Sequence, residues 1–158
     1  ALIENLGIQA GMPKSGLAFA DDLGLRMVMR YEQLADEHYG SKYVQHPAVS
    51  AIKKMTEELE RNGRSNNKGF YEYDESGNRR LWTDLKTHFP TTQTDYDKAE
   101  LMERLLFVQV IEAGWCLQEK VIQNIAAANL GSIYGWGFPA YKGGIIQYID
   151  DYGKARFF

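Results

Sequence analysis

Two stretches of the sequence share one pattern of glycine, proline and paired aspartates, and this internal repeat constrains the fold more than any other feature. GMPKSGLAFADDLG (11–24) and GFPAYKGGIIQYIDDYG (137–153) both begin with Gly-x-Pro and end with Asp-Asp-x-Gly. Asp21 aligns with Asp150 once three extra residues are allowed in the second stretch. Each stretch has the composition of a tight loop that leads into a helix, so the repeat predicts two copies of one helical unit.

The spacing of apolar residues predicts that helices make up most of the chain. Apolar residues recur at intervals of three and four, and glycine or proline stands at the predicted ends. The predicted helices are residues 1–10, 19–38, 47–62 and 97–124. A long helix precedes the second copy of the repeat, so we expect the corresponding helix of the first copy to lie upstream of Ala1.

The helix predicted at 97–124 has the widest apolar face. Asp97 and Glu100 have the spacing of a capping box at its start. A face this wide is typical of a helix in the middle of a bundle. The residues expected inside the bundle are Leu105, Val108, Ile111 and Cys116.

One segment between the helices has strand character. Residues 70–73 and 79–82, joined by DESGN, predict either a small hairpin or an extended arm, which must pack onto helices to be stable. Residues 83–96 contain Pro90 and five threonines and predict a linker. The predicted fold class is therefore all-α with a short extended arm.

Charge and hydropathy exclude two classes of partner. The formal net charge is −3, whereas a nucleic-acid-binding domain would be basic. The apolar run LLFVQVIEAGW is interrupted by Gln109 and Glu112 and is shorter than the roughly 20 residues of a membrane-spanning helix. The single cysteine, Cys116, cannot form an internal disulfide, which is typical of a reducing compartment. We therefore expect no nucleic-acid partner and no membrane span.

The residue patterns do not assemble a catalytic site by themselves. GWGFPA (135–140) has the letters of the dinucleotide fingerprint, but Pro139 interrupts the turn, and a close-packed loop explains the glycines better. The adjacent carboxylates at 21–22 and 150–151 are interpreted as groups that cap helix starts rather than as acid–base pairs. The histidines lack the spacing of a helical zinc site; they are His38, His46 and His88.

Two features are candidate ligand contacts. Tyr134 lies between glycines beside Trp136, and an aromatic ring with a polar tip serves either a ligand contact or the packing of a core or hinge. A cationic cluster indicates either a contact with a phosphate-bearing ligand or a solvated helix end. The members of this cluster are Lys53, Lys54, Arg61, Arg64 and Lys68.

Several linked motifs resemble the 3-hydroxyacyl-CoA dehydrogenases. HPAVSAIKKMTEELERNGRSNNKGFYEY (46–73) resembles a family segment in which a helix ends in Arg-x-Gly-(Arg/Lys) and leads to Gly-Phe-Tyr-x-Tyr. The stretch from ERLLF to IDDYG (103–153) is similar to the second C-terminal repeat of the multifunctional β-oxidation enzymes, and GMPKSGLAFADDLGL is similar to the end of the first repeat. Asn67 replaces a glycine of the family, and asparagine tolerates the left-handed conformation best among the other residues.

The resemblance implies a helical domain like the C-terminal domain of 3-hydroxyacyl-CoA and 6-phosphogluconate dehydrogenases. Residues 1–82 would be the tail of the first repeat plus the extended arm, 83–96 a linker and 97–158 the second repeat. Such enzymes oxidise (3S)-3-hydroxyacyl-CoA in fatty-acid β-oxidation with NAD, which an upstream Rossmann domain binds beside a catalytic His–Glu pair. The resemblance places those parts outside this sequence, so the chain itself is expected to be inactive, with no catalytic residue, cofactor or metal. Tyr134 matches a substrate-contacting position.

The resemblance also implies partners and a location. The partners are the acyl-CoA substrate, the upstream Rossmann domain and a second copy of the chain. Leu2, Ile3 and Leu6, together with apolar residues of the 97–124 helix, would contribute to the dimer. Two alternatives stay open: the amino-terminal helix covers that surface and leaves a monomer, or the chain is a non-catalytic helical association module. The implied location is the cytoplasm of a bacterium, or mitochondria or peroxisomes in a eukaryote.

Overall fold

A computed structural model describes residues 1–91 and 95–157, and it confirms the predicted all-α class. A two-stranded hairpin is the only sheet within this part of the chain. The helices are α1 (Leu2–Gln9), α2 (Gly16–Leu23), α3 (Leu25–Tyr39), α4 (Ala48–Lys53), α5 (Leu85–His88), α6 (Lys98–Gln118), α7 (Ile125–Gly131), α8 (Ile145–Tyr152) and α9 (Lys154–Phe157), and the strands are β1 (Tyr71–Tyr73) and β2 (Arg79–Leu81).

The chain forms two compact units, each with its own core. The first unit contains Ala1 and the described residues from Gly16 to 91, and the second contains 2–15 and the described residues from Asp95 onward. The first core is built on Leu25, Met55, Phe70 and Trp82. The second core is built on residues of α6, α7 and α8 together with Ala10, at the end of α1.

Helix α6 is the centre of the second unit, but only one of its faces is inside. Leu106 is 4% exposed and, with Val110 and Ala113, belongs to the core, where α6 packs against α1, α7 and α8. The expectation that Val108 and Ile111 lie inside is wrong, because they are 55% and 44% exposed. The apolar pattern extends around the helix, so periodicity alone did not show which face the neighbouring helices cover. Leu105 and Cys116 are half-buried.

The two Gly-x-Pro motifs of the internal repeat face each other in the second unit. Gly11 and Gly137 both have positive φ angles, 92° and 80°. A Cβ atom added to Gly137 would lie 2.4 Å from Cγ of Pro13, and one added to Gly11 would lie 3.2 Å from Cβ of Pro139 and 2.6 Å from the Tyr141 ring. The contact is reciprocal, because the glycine of each motif accommodates the proline of the other. The close packing of this loop also agrees with the interpretation of GWGFPA.

The two copies differ in length just before this contact. Asn5-Leu6-Gly7 precedes the first Gly-x-Pro motif and Asn129-Leu130-Gly131 precedes the second, but the interval to the motif is two residues longer in the second copy. In that interval α7 continues as a π-helical turn, Ser132–Trp136. A π turn takes up extra residues without ending the helix, and such turns are frequent at functional sites.

A buried carboxylate joins α2 to the hairpin in the first unit. Asp21 accepts hydrogen bonds from the backbone N–H groups of Phe70 (2.9 Å) and Tyr71 (2.8 Å) and from the hydroxyl of Tyr73 (3.1 Å). Its neighbour Gly69 is required, because an added Cβ atom would lie 2.1 Å from Asp21 Oδ1. Burial raises the pKa of the Asp21 carboxyl against the lowering effect of these hydrogen bonds.

A buried arginine supports the same hairpin. Arg61 donates from Nε to the carbonyl of Gly69 at 2.7 Å, and its guanidinium carbon lies 3.9 Å from the centre of the Trp82 ring. Arg61 is therefore a structural residue of the first unit, where it fixes the chain before β1 and packs on the residue after β2.

Three sequence-based expectations about local structure need correction. The predicted helix 19–38 is divided at Gly24, which has a φ angle of 90°, and the predicted helix 97–124 ends at Gln118. The aspartate pairs do not stand at helix starts: Asp21 is in the last turn of α2, and 150–151 are in the last turn of α8.

Two other expectations have clear outcomes in the described residues. Asn67 has a φ angle of 58°, in the left-handed region, as its replacement of a glycine predicts. The predicted linker contains the short helix α5, and its His88 ring stacks on Trp82 with 5.0 Å between ring centres. Residues 92–94 of that linker lie outside the described residues.

Replacing Gly137 with alanine should destabilise the chain by roughly 2–4 kcal/mol, because the new methyl group meets Pro13 and the positive φ angle is strained. Gly135→Ala is the matched control, because nothing lies within 4 Å of an added Cβ atom there. Urea denaturation followed by circular dichroism measures both. Equal stability of the two variants would contradict the close Gly137–Pro13 packing.

Replacing Asp21 with alanine should cost roughly 2–4 kcal/mol of unfolding free energy, because two backbone N–H groups lose their acceptor in a buried site. The aligned substitution Asp150→Ala removes an exposed carboxylate and should cost less than the loss of Asp21, because water can solvate the groups that it leaves behind. The same denaturation experiment compares them. Similar losses from both variants would show that Asp21 does not hold the hairpin.

Candidate functional site

Tyr134 stands on the π-helical turn that distinguishes the second copy of the repeat. Its side chain is 84% exposed. Leu130 and Trp136, from the same helix and turn, are also exposed, and the Trp136 indole donates from Nε1 to Oε1 of Gln109 at 2.9 Å. The turn therefore presents the rings of Tyr134 and Trp136 and the phenol hydroxyl of Tyr134 to solvent. These groups suit contact with a ligand that has both apolar and polar parts.

The base of this turn is held by buried polar contacts. Ser132 is fully buried; its hydroxyl donates to the carbonyl of Asn129 at 2.8 Å and accepts from the N–H of Ile145 at 3.2 Å. The Asn129 side chain accepts from the N–H groups of Ile146 (2.8 Å) and Gln147 (3.2 Å). Asn129 and Ser132 thus satisfy N–H groups at the start of α8, so the segment that carries Tyr134 is fixed to the helix behind it.

The outer face of α6 is a second exposed feature of the second unit. We use this name for Val108, Ile111 and Trp115, which lie three and four residues apart and are all exposed. Their spacing puts them on one side of the helix, opposite the buried Leu106, Val110 and Ala113. An apolar stripe of this kind on a well-formed helix indicates a surface that contacts another protein segment.

The remaining sequence candidates do not form a site. In GWGFPA, the space beside Gly137 is occupied by Pro13, and a π turn rather than a strand precedes this glycine. The geometry therefore does not fit a dinucleotide. No group of three His, Cys, Asp or Glu side chains that could hold a metal ion occurs among the described residues. In the cationic cluster, Lys54 donates to the carbonyl of His88 at 3.1 Å and Arg64 lies 3.6 Å from Asp22.

The sequence interpretation named Tyr134 as a candidate ligand contact, but it did not predict two structural features of the second unit. The π turn was signalled by the two-residue difference between Asn-Leu-Gly and Gly-x-Pro in the two copies. The outer face of α6 was signalled by apolar residues that surround the helix, which a single buried stripe does not require. Within the described residues, no helix is both long enough and apolar enough to cross a membrane.

Comparison with known proteins supports the resemblance that the motifs indicate. The chain is 29% identical over 152 residues to fatty acid oxidation complex subunit alpha of Shewanella putrefaciens, and 27% identical over 152 residues to that of Shewanella amazonensis. Each alignment covers 94% of this chain but 21% of the relative, so the chain spans about a fifth of the length of the curated relatives it matches. No family model matches the chain.

A solved structure shows the same fold. The dehydrogenase part of multifunctional enzyme 1 from C. elegans superposes with a TM-score of 0.61 and 22% sequence identity, covering 90% of this chain and 32% of that protein. The chain is therefore similar to one segment of the fatty acid oxidation complex alpha subunits, and it has a helical fold found in the dehydrogenase part of a multifunctional enzyme.

Proposed function

We propose that the chain is the C-terminal portion of an NAD-dependent (3S)-3-hydroxyacyl-CoA dehydrogenase of fatty-acid β-oxidation. The observation that carries this proposal is the similarity to fatty acid oxidation complex alpha subunits over 94% of the chain. In this role the chain contributes a wall of the substrate pocket and the packing between repeats. The parent protein works in the cytoplasm of a bacterium, as the Shewanella relatives favour.

The proposed organisation follows the internal repeat. Residues 1–82 are the tail of the first C-terminal repeat plus the extended arm, 83–96 are a linker, and 97–158 are the second repeat. In support, α1 and α7 each lead through a Gly-x-Pro loop to a short helix that ends before a glycine of positive φ, Gly24 or Gly153. An upstream Rossmann domain of the parent protein binds NAD.

The chemistry of the proposed reaction is divided between that domain and this chain. NAD accepts the hydride in the parent enzyme, and the residues that bind NAD and the catalytic His–Glu pair belong to the Rossmann domain. Tyr134 contributes binding: its ring offers apolar contact to the acyl or pantetheine part of the substrate, and its hydroxyl offers a hydrogen bond. The fixed base beneath the turn means that little backbone freedom is lost when Tyr134 binds the substrate.

Calorimetric titration with acetoacetyl-CoA tests the role of Tyr134. We expect weak saturable binding to the chain and roughly tenfold weaker binding to Tyr134→Ala, with Tyr134→Phe separating the hydroxyl from the ring. Tyr39→Ala, an exposed tyrosine of the first unit, is the control and should bind as the parent chain does. Binding that is absent, or equally weakened by both alanine variants, would contradict this role.

A second candidate function is that of a helical association module, and the outer face of α6 favours it. The expectation that Leu6 contributes to the dimer surface is wrong, because its side chain is 2% exposed within its own unit. Ile3, in contrast, is exposed. Helix α1 does fold against α6, as the monomer alternative requires, yet Val108, Ile111 and Trp115 stay uncovered. Two copies could cover this face about a two-fold axis, the commonest closed symmetry.

Light scattering over a range of concentrations tests the dimer. The apolar outer face should drive the mass toward twice 18.0 kDa as concentration rises. Val108→Lys should hold the mass at the monomer value, because a charge cannot be buried there without a partner. Val44→Lys is the control, because Val44 is an exposed valine of the first unit. A mass that stays near 18.0 kDa at every concentration would rule the dimer out.

A further inference from the structure

We propose that a cavity between α8 and the turn before it binds a small aromatic zwitterion, that is, a molecule of amino-acid size with a planar ring, an ammonium group and a carboxylate. The cavity has a volume of about 390 Å³, within the range of small-molecule sites. It uses neither Tyr134 nor the outer face of α6, so this inference goes beyond the proposed function. We call it the tyrosine cavity, and its lining residues are Tyr141, Lys142, Tyr148, Asp151 and Tyr152.

Two segments bring the lining side chains to one side of α8. Tyr148, Asp151 and Tyr152 are three and four residues apart, so they share one face of this helix. Lys142 comes from the 3₁₀ turn Ala140–Lys142, and its ammonium nitrogen lies 4.9 Å from the centre of the Tyr148 ring. This contact places the ammonium over the same helix face that carries Asp151. The cation and the carboxylate therefore border one cavity.

Contacts outside the cavity hold its three rings in place. The Tyr141 hydroxyl donates to the carbonyl of Ala10 at 3.1 Å. The Tyr148 ring stacks on Phe107 with 5.8 Å between ring centres, and the Tyr152 ring meets Phe107 edge-on at 4.9 Å. Each ring has a fixed neighbour outside the cavity, so the walls are set before a ligand binds and little freedom is lost on binding.

The two charged groups of the lining have no ion-pair partner among the described residues. Asp151 Oδ1 accepts from Gln147 Nε2 at 2.9 Å, and this amide is a neutral donor. The Lys142 ammonium lies over the rings of Tyr148 and Tyr141, 5.2 Å from the centre of the latter. Lys142 and Asp151 line the same cavity without pairing with each other. A ligand that carries both charges can therefore pair with both groups at once.

The charge balance of the lining favours a zwitterion over a simple cation or anion. The lining contains one ammonium, one carboxylate and three phenols. Burial, with the charge of Glu103 as a lesser cause, raises the pKa of the Tyr148 phenol. This phenol therefore stays neutral at pH 7 and keeps a proton that it can donate. A ligand that is neutral overall, with its charges separated, matches this lining.

The phenol rings favour a ligand that has a planar ring of its own. Aromatic rings attract one another in offset-stacked or edge-on pairs. Tyr141 is 70% exposed, so its ring is accessible to a ligand from solvent, whereas Tyr148 is buried and closes the cavity toward the core. The ring contacts supply apolar affinity, and the two charged groups set the orientation of the ligand.

Calorimetric titration of the full chain with L-phenylalanine tests the proposal. Two related compounds each lack one charge, because phenethylamine has no carboxylate and 3-phenylpropionate has no ammonium group. We expect saturable binding of L-phenylalanine and roughly tenfold weaker binding of each related compound, which loses one charged contact. Equal affinities for the three compounds, or no saturable binding of L-phenylalanine to the folded chain, would overturn the proposal.

Two variants test which group binds which charge. Lys142→Met should weaken the binding of L-phenylalanine roughly tenfold but should not weaken that of phenethylamine, which has no carboxylate to pair with the lysine. Asp151→Asn should weaken the binding of L-phenylalanine to a similar degree but should not weaken that of 3-phenylpropionate. A variant that weakens all three compounds equally would contradict this assignment of the charges.

The controls are Lys98→Met and Asp150→Asn, which remove exposed charges of the same unit outside the cavity. Both should bind L-phenylalanine as the parent chain does, and Asp150 is a close match because it is next to Asp151 in α8. Circular dichroism melting establishes that each variant is folded before titration. A loss from either control equal to that from Lys142→Met or Asp151→Asn would overturn the proposal, because binding would then follow net charge alone.

Discussion

The second unit depends on a place where two loops approach so closely that only glycine fits. Gly11 and Gly137 face the prolines of the opposite motif, and each glycine also adopts a positive φ angle. Any side chain there would push the loops apart. Because Gly11 follows α1 and Gly137 follows the π-helical turn, this contact fixes the loops at which both segments end. The core around α6 forms on that frame, with α1 and α8 packed against it.

The first unit is stabilised by a different interaction, between a buried carboxylate and the hairpin. Its hairpin is too short to be stable alone, so its backbone N–H groups bond to the buried Asp21 carboxylate. Arg61 then covers Trp82 and binds the carbonyl of Gly69. The two copies of the Asp-Asp-x-Gly motif have thus diverged: Asp21 holds a hairpin, whereas Asp150 is exposed on α8.

Local patterns predicted the fold class and the tight loops, but not the burial of long helices. The Gly-x-Pro repeat and Asn67 each encode a backbone conformation. Such a conformation depends on few neighbouring residues and can therefore be predicted from the sequence. The burial of each face of α6 depends on which helices pack around it. The apolar pattern fits two faces of this helix equally, so it wrongly predicted that Val108 and Ile111 are buried. Tyr134 was identifiable as an aromatic among glycines, but its exposure depends on a π turn that no apolar period reveals.

The central claim is that the two Gly-x-Pro motifs pack reciprocally, and nuclear Overhauser spectroscopy of the labelled chain tests it most directly. The α protons of Gly137 point at the Pro13 ring, and those of Gly11 point at Pro139 and Tyr141. The account predicts cross-peaks for both glycine–proline pairs in the folded chain. A folded chain with well-dispersed resonances and neither cross-peak would contradict it.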